Sequence, residues 1–411
     1  MTRLLIIPML LAALLGPTPS SRPFVRIESL SGRTIDAQLV AIAPDGRLTL
    51  EPAGAVPLTI DDLKRIIPIR IARPNIDELP IQQCYHLIGG ERITGQLIPT
   101  NRPRTLRVEA GLPKPLDIPM DSLAAVRFAA QEHPAAKQEL DARLTLRPKD
   151  KDVLIVVKDN KPVVVTGALE RITPDGIEFT IGRKTQKIAL DTAYAAVFAG
   201  VPSLEAQPSS AVTCKLRLLT GSELPGRLAS TDDANIRLDA GTLGTVDAPW
   251  ELVDELRFRS ERIVYLSDLR PSAVTTHSIL DIEFPPRMDR SVTGTVISLR
   301  GRSFEKGIGT HSMTSMTFDL KGDYERFTAV VGIDDTASPH GSVILRVLAD
   351  GRELFKSPPL HGSTETHAIT VDMSGVKSLT LETLDAGDLD ISDHADWADA
   401  MLIKARPQLI R

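Results

Sequence analysis

Apolar and polar residues alternate with a period of two along most of this chain, while sustained 3.6-residue periodicity is scarce, so short half-buried β-strands are expected throughout. In the first 260 residues these strands recur as a degenerate repeat. Each unit opens on an alternating segment, passes a turn and reaches a small residue two before a Leu: Ala37/Leu39, Gly95/Leu97, Gly167/Leu169 and Gly226/Leu228. A second short strand follows at 48–50, 106–108, 177–179 and 236–238. Each unit then closes on a third signature at 58–61, 116–121, 188–191 and 246–250, with a final strand at 66–69, 126–128, 196–198 and 256–258. The anchor Leu residues lie 58, 72 and 59 apart, so the unit recurs four times.

Strands this short, separated by Gly- or Asp-containing turns, predict small, strongly bent barrels of about five strands each. Their bounds fall at 23–72, 81–130, 151–200 and 212–260. The pattern resembles tandem SH3-like or Sm-like small barrels, a likeness of pattern alone that names no ligand. Such an array is read as a spacer or as protein-docking units, with envelope proteins as candidate partners. The segment 131–150, rich in Ala, Glu and Lys, reads as helix or linker, and 201–211 as a linker. From Ile263 the strands lengthen, and Asp350-Gly351 is a strong hairpin signal. About eight strands across 262–406 fit a two-layer sandwich or jelly roll. The fold class is therefore all-β: tandem small β-barrel-like repeats followed by a C-terminal β-sandwich.

A length of 411 residues exceeds what one hydrophobic core organises, and 42% apolar with 25% charged residues is ordinary globular composition. Met1-Thr2-Arg3, an uncharged apolar run at 4–15 and a helix-breaking exit at 16–21 have the layout of a secretory signal, bounded at 1–22. A run of that length spans ~18 Å as a helix against a ~30 Å hydrocarbon core, so export is expected rather than anchoring. The mature chain is expected in a periplasmic, cell-envelope or extracellular setting, with no membrane span. Cys84 and Cys214 could form one bridge at most; both sit near the start of a repeat and read as buried free thiols. From Tyr265 to Lys404 there are 13 Lys/Arg against 21 Asp/Glu, a net −8, which leaves +3 for the rest of a chain of net −5. A segment this negative repels a phosphate backbone, which argues against nucleic acid there.

Five motifs in the C-terminal third stand in order: Val264-Tyr265-Leu266-Ser267-Asp268-Leu269, then Phe304-Glu305-Lys306-Gly307-Ile308-Gly309-Thr310-His311-Ser312. Gly332-Ile333-Asp334-Asp335, Ala349-Asp350-Gly351-Arg352 and Asp393-His394-Ala395-Asp396-Trp397-Ala398-Asp399-Ala400 follow. Together they resemble the NPCBM/NEW2 family, carbohydrate-binding modules first noted beside family 98 glycoside hydrolases. The resemblance implies a galactose-binding-like β-sandwich that holds sugar, galactose-type or another glycan, through loops at one end. Four repeats stand where a glycosidase companion would carry its catalytic domain.

A sugar site needs a flat apolar face for the ring and polar groups for its hydroxyls. Trp397, Tyr265 and Tyr324 are the aromatic candidates, and His311, His394, Asp334, Asp335 and Arg346 the polar ones. Trp397, between small residues, also reads as core, and His394 with Asp393 as a buried pair. Asp385, Asp388, Asp390 and Asp393 belong to a dense acidic stretch whose hard oxygens suit a structural Ca²⁺, though the spacing is not that of an EF-hand. No other cofactor is called for. Paired carboxylates could serve glycoside hydrolysis. Yet no nucleophile elbow, His-Glu-x-x-His, phosphate-binding Gly loop or Cys-based metal motif is present. The expected function is therefore non-catalytic glycan binding on an exported chain, with an envelope scaffold as the competing reading.

Overall fold

The computed structural model of the protein describes residues 22–43, 46–52, 58–70, 83–128, 133–200, 212–277, 284–362, 366–387 and 392–405. The export signal, Arg22 apart, and the linker at 201–211 lie outside the described residues. The chain divides into two compact units at Arg259/Ser260. Both are built of antiparallel strands.

The first repeat holds β1 (Phe24–Ser29), β2 (Thr34–Ile42), β3 (Leu48–Glu51) and β4 (Leu63–Pro68). The second holds β5 (Gln83–Leu87), β6 (Arg92–Ile98), β7 (Thr105–Glu109), β8 (Leu116–Pro119) and β9 (Leu123–Arg127). After helix α1 (Pro134–Thr145), the third holds β10 (Asp152–Lys158), β11 (Lys161–Thr173), β12 (Gly176–Ile181), β13 (Lys184–Ile188) and β14 (Ala193–Val197). The fourth holds β15 (Thr213–Leu218), β16 (Glu223–Thr231), β17 (Asn235–Asp239), β18 (Thr245–Pro249) and β19 (Val253–Arg259). In all four the closing strand returns to pair with the first, as in the order β9-β5-β6-β7-β8.

The small residue before each anchor Leu has a steric reason. A Cβ on Gly95, Gly167 or Gly226 would sit 2.5, 2.2 or 2.4 Å from the backbone oxygen of Glu109, Thr180 or Asp239 on the next strand. The curl of the second strand over the third therefore excludes a side chain there.

The repeats do not stand apart as a string. β4 pairs with β19 and β9 with β14, so repeats one and four share a nine-stranded sheet and repeats two and three a ten-stranded one. Pairing closing strand with closing strand satisfies edges that would otherwise invite foreign strands. Apolar side chains of all four repeats merge into one core, from Val25 and Ile27 through Tyr85 and Phe179 to Leu256 and Phe258. Helix α1 lays Ala136 and Leu140 over Ala125, Ala195 and Tyr194 at the joint of repeats two and three. Its first turn is capped by His133, whose Nδ1 accepts from Ala136 N at 3.1 Å. Cys84 and Cys214 are buried free thiols, each the second residue of its repeat's first strand.

The C-terminal unit runs β20 (Ile263–Tyr265), β21 (Ala273–Thr276), β22 (Arg287–Met288), β23 (Ile297–Leu299), β24 (Arg302–Phe304), β25 (Gly307–His311) and β26 (Thr314–Asp319). It continues with β27 (Tyr324–Ile333), β28 (Ser342–Ala349), β29 (Arg352–Lys356), β30 (Leu360–His361), β31 (His367–Asp372), β32 (Ser378–Asp385) and β33 (His394–Lys404). One sheet is ordered β22-β25-β33-β27-β31 and the other β21-β26-β32-β28-β29. Trp397, Phe327, Val331 and Leu402 of the first sheet pack with Phe318, Leu345, Val347 and Leu381 of the second, so the unit is a β-sandwich.

The β23–β24 hairpin covers the back of the first sheet, where Ile297, Leu299 and Phe304 meet Ala398. β33 is thus buried on both faces from Ala395 to Ile403, Asp396 and Asp399 included. Asp396 stands in register between Gly309 of β25 and Gly332 of β27. Those glycines make room for the covering segment: a Cβ on Gly309 would lie 2.4 Å from the Ser291 carbonyl carbon, and one on Gly332 3.3 Å from Leu299.

Candidate functional site

One end of the sandwich gathers the histidines. Of eight in the chain, six come to this rim: His277, His311, His340, His361, His367 and His394. The strand register shows why. His311, ending β25, is directly opposite His394, opening β33; His361 is opposite Ser342 at the start of β28; and His367 is opposite Val331 near the end of β27. His277 donates its backbone N–H to Met313 in the β25–β26 turn, and His340 precedes β28 by two residues.

At its centre three rings meet. Phe284 stacks on His311 with centroids 4.4 Å apart and planes 12° off parallel. His394 closes the group, 5.8 Å from Phe284 and 5.7 Å from His311, tilted by 51° and 54°. His311 is buried beneath half-buried Phe284 and His394. Burial pulls the His394 pKa below its ordinary value, against the opposing pull of Asp334, so its ring is neutral at pH 7. A flat apolar ring beside imidazole nitrogens can offer stacking and hydrogen bonding to one ligand.

The carboxylates predicted for this site turn out to hold the rim together. Asp393 is buried and accepts from Ser342 N at 2.7 Å, tying β33 to β28. Asp334, fully buried, accepts from Thr336 N at 2.9 Å and Ser298 N at 3.3 Å, and from the Thr336 hydroxyl. Asp335 accepts from Ser298 Oγ at 2.5 Å, Arg300 N at 2.7 Å and Gly301 N at 2.8 Å, latching the β23–β24 hairpin. Burial opposes its charge, but these donors more than offset that and hold its carboxyl below the usual range. Asp334 is corrected from a ligand contact to a structural acceptor, because it is wholly buried, while half-buried Asp335 spends three acceptor sites on the hairpin.

Four further expectations are corrected. Trp397 is wholly buried between the sheets, its Nε1 donating to Thr383 Oγ1 at 3.2 Å, so no ligand can stack on it. Tyr324 opens β27 opposite Lys404, and ten extended residues place it about 30 Å from the histidine rim. Tyr265 is likewise buried, on β20 opposite Met401. Arg346 lies on the outer face of the second sheet, its Nε 2.6 Å from Glu382, away from the three-ring group.

Of the acidic stretch, Asp388 and Asp390 lie outside the described residues, while Asp385 accepts from Gly387 N at 2.9 Å. Among the described residues no group of three or more His, Cys, Asp or Glu is placed to hold a metal ion. Sequence reasoning missed Phe284, which precedes Pro285-Pro286 in a segment without alternation and gives no periodic cue.

Residues 262–403 match the NPCBM/NEW2 domain, and the C-terminal unit is a domain of that kind. A candidate endo-alpha-N-acetylgalactosaminidase of Renibacterium salmoninarum is 32% identical over 114 residues, 28% of this chain and 8% of that protein. Alpha-1,3-galactosidase B of Akkermansia muciniphila is 32% identical over 117 residues, 28% of this chain and 15% of that protein. The chain thus spans a small fraction of the length of these curated relatives. Among solved structures, the CBM51 module of Clostridium perfringens GH95 in complex with methyl-galactose is 32% identical. It covers 34% of this chain and 99% of that one, with a TM-score of 0.32. CBM51-2 with INT domains of Clostridium perfringens ZmpB, in complex with GlcNAc, is 28% identical over 41% of this chain and 36% of that one, with a TM-score of 0.33.

Proposed function

We propose that the C-terminal module binds a glycan, without catalysis, at the Phe284–His311–His394 rim, on an exported chain whose N-terminal unit serves as a protein-contacting body. The stacked pair of Phe284 and His311, beside a neutral His394, carries this reading. Phe284, backed by buried His311, supplies the apolar face that takes the C–H side of a pyranose, and half-buried His394 supplies hydrogen bonds to its hydroxyls. The non-catalytic part rests on the rim carboxylates: Asp393, Asp334 and Asp335 are engaged by backbone donors and are not poised as an acid/base pair. The names of the curated relatives point to galactose and N-acetylgalactosamine as first ligands to try.

Calorimetric titration of the full chain with methyl α-galactoside and N-acetylgalactosamine tests it. One aromatic ring should give saturable but weak binding, with Kd on the order of 0.1–1 mM, and Phe284→Ala should weaken it by about tenfold or more. Binding that persists unchanged in Phe284→Ala would move the site elsewhere.

A further inference from the structure

Repeats one and four tie two matching turns together, and repeats two and three do not. Ile42, the last residue of β2, donates its N–H to Thr231 Oγ1, at the end of β16, at 3.0 Å. Strand register identifies the matching positions in the other pair. Ile172 faces Ile177 as Thr231 faces Ile236, and Pro99 follows the strand pair Ile98–Arg107 as Ile42 follows Ala41–Thr49. Neither Pro99 nor Ile172 carries a hydroxyl, and Pro99 has no N–H, so the tie cannot form. A cavity of about 590 Å³ lies there instead, between the β6–β7 and β11–β12 turns.

Its floor is apolar, from buried Leu97, Met120 and Ile172, and exposed Pro99, Pro103 and Pro174 stand along its walls. Rigid pyrrolidine faces and a thioether suit an aromatic side chain. On the repeat-two side the rim carries Arg102 and Arg104, held by Asp117 at 2.9 Å and Asp121 at 2.6 Å, whose guanidinium groups add to the attraction for such a ring. On the repeat-three side Glu170 and Asp175 have no ion-pair partner among the described residues, against one such guanidinium, Arg171. The unpaired charge of the rim is therefore negative.

We infer that this cavity docks a partner polypeptide by one aromatic side chain neighboured in sequence by a lysine or arginine. The inference rests on the reading of the N-terminal unit as a protein-contacting body. The ring enters between the prolines onto Met120, and the neighbouring cation meets Glu170 and Asp175. A cavity of this size takes the anchor together with its flanking backbone.

The full chain, labelled at its methionine methyl carbons, is titrated with acetyl-Ala-Trp-Lys-Ala-amide and with acetyl-Ala-Trp-Glu-Ala-amide, by NMR and by calorimetry. The Met120 signal, assigned through Met120→Leu, should move upfield on one saturable curve, because the face of an aromatic ring shields a nucleus above it. The Lys peptide should bind about fivefold more tightly than the Glu peptide. Glu170→Gln combined with Asp175→Asn, two exposed changes, should abolish that preference and leave the Met120 shift in place. Saturable heat with an unmoved Met120 signal overturns the cavity while the protein-contacting reading stands, and neither heat nor shift overturns both. Equal wild-type affinity for the two peptides, or a preference that survives the double variant, overturns the basic neighbour. A shift produced as strongly by N-acetyltryptophan amide alone overturns polypeptide docking in favour of a small-molecule pocket.

Discussion

Arg65 of the first repeat stands directly opposite Arg257 of the fourth, where β4 meets β19. Like charges in facing strand positions repel, so the joint needs a counter-charge. Glu255 provides it, approached at 3.3 Å by both Arg65 and Arg257 and at 3.1 Å by Arg217, while Glu28 holds Arg65 at 2.7 Å. Arg65 and Glu255 are buried, at 7% and 4% exposure. Burial raises the Glu255 pKa, but the three arginines more than reverse this, so it stays charged well into acid. Removing one partner of a buried pair costs about 3–5 kcal/mol. Glu255→Ala should therefore lower the stability of the N-terminal unit by that order, and do so less below pH 4, where an unfolded Glu is already protonated. Denaturant unfolding at pH 7 showing a loss under 1 kcal/mol would mean that the joint does not depend on this charge.

The repeat glycines give a second expected outcome. Gly167→Ala or Gly226→Ala drives a methyl group into the backbone of the next strand, and overpacking of this kind costs roughly 1–3 kcal/mol. The first repeat already has Ala37 at the equivalent place, so Ala37→Gly should change stability by less than about 1 kcal/mol. Thermal unfolding of the three variants checks the contrast, and equal effects at all three positions would refute the close-approach explanation.

A third concerns proton linkage. Asp396 and Asp334 are both wholly buried, and no N–H or O–H among the described residues donates to Asp396. Burial, then the neighbouring Asp334, pushes the Asp396 carboxyl up to about 10. The folded protein thus keeps a proton that the unfolded chain releases above about pH 4. Its stability contribution is greatest in acid and declines as pH rises towards 10. Asp396→Asn should flatten the decline in Tm of the C-terminal unit between pH 5 and pH 9, and an unaltered slope would count against the proton held on Asp396.

Trp397 provides a fourth. A wholly buried indole should cost about 3–5 kcal/mol when truncated to Ala. Trp397→Phe, which keeps most of the volume, should fold and leave methyl α-galactoside affinity within about twofold. A much larger loss of affinity in folded Trp397→Phe would return this ring to the binding site.

How far the sequence carried depends on what each residue does. Period-2 alternation and the small-x-Leu anchors marked the strands of the first 260 residues, because half-buried strands and close strand approach leave local marks. The pairing of repeat one with four and two with three left none: Arg65 and Arg257 are 192 positions apart, and strand edges carry no address in sequence. In the C-terminal unit the motifs around Gly309, Gly332 and Asp396 were legible. They converge on three adjacent strands, where they shape the back of a sheet more than they touch a ligand. His311 and His394 were singled out with them and do share the rim. Phe284 was not, since a ring brought in by an irregular segment before two prolines has no period to betray it.

The rim itself is tested most directly by histidine-selective NMR. With imidazole carbons and nitrogens labelled, methyl α-galactoside is added to the full chain up to saturation. Resonances of His311 and His394, assigned by substitution, should move along one saturable curve, while those of His86 and His133 in the N-terminal unit stay in place. Unmoved His311 and His394 signals at saturating ligand, or shifts confined to His86 and His133, would contradict a glycan site at this end of the sandwich.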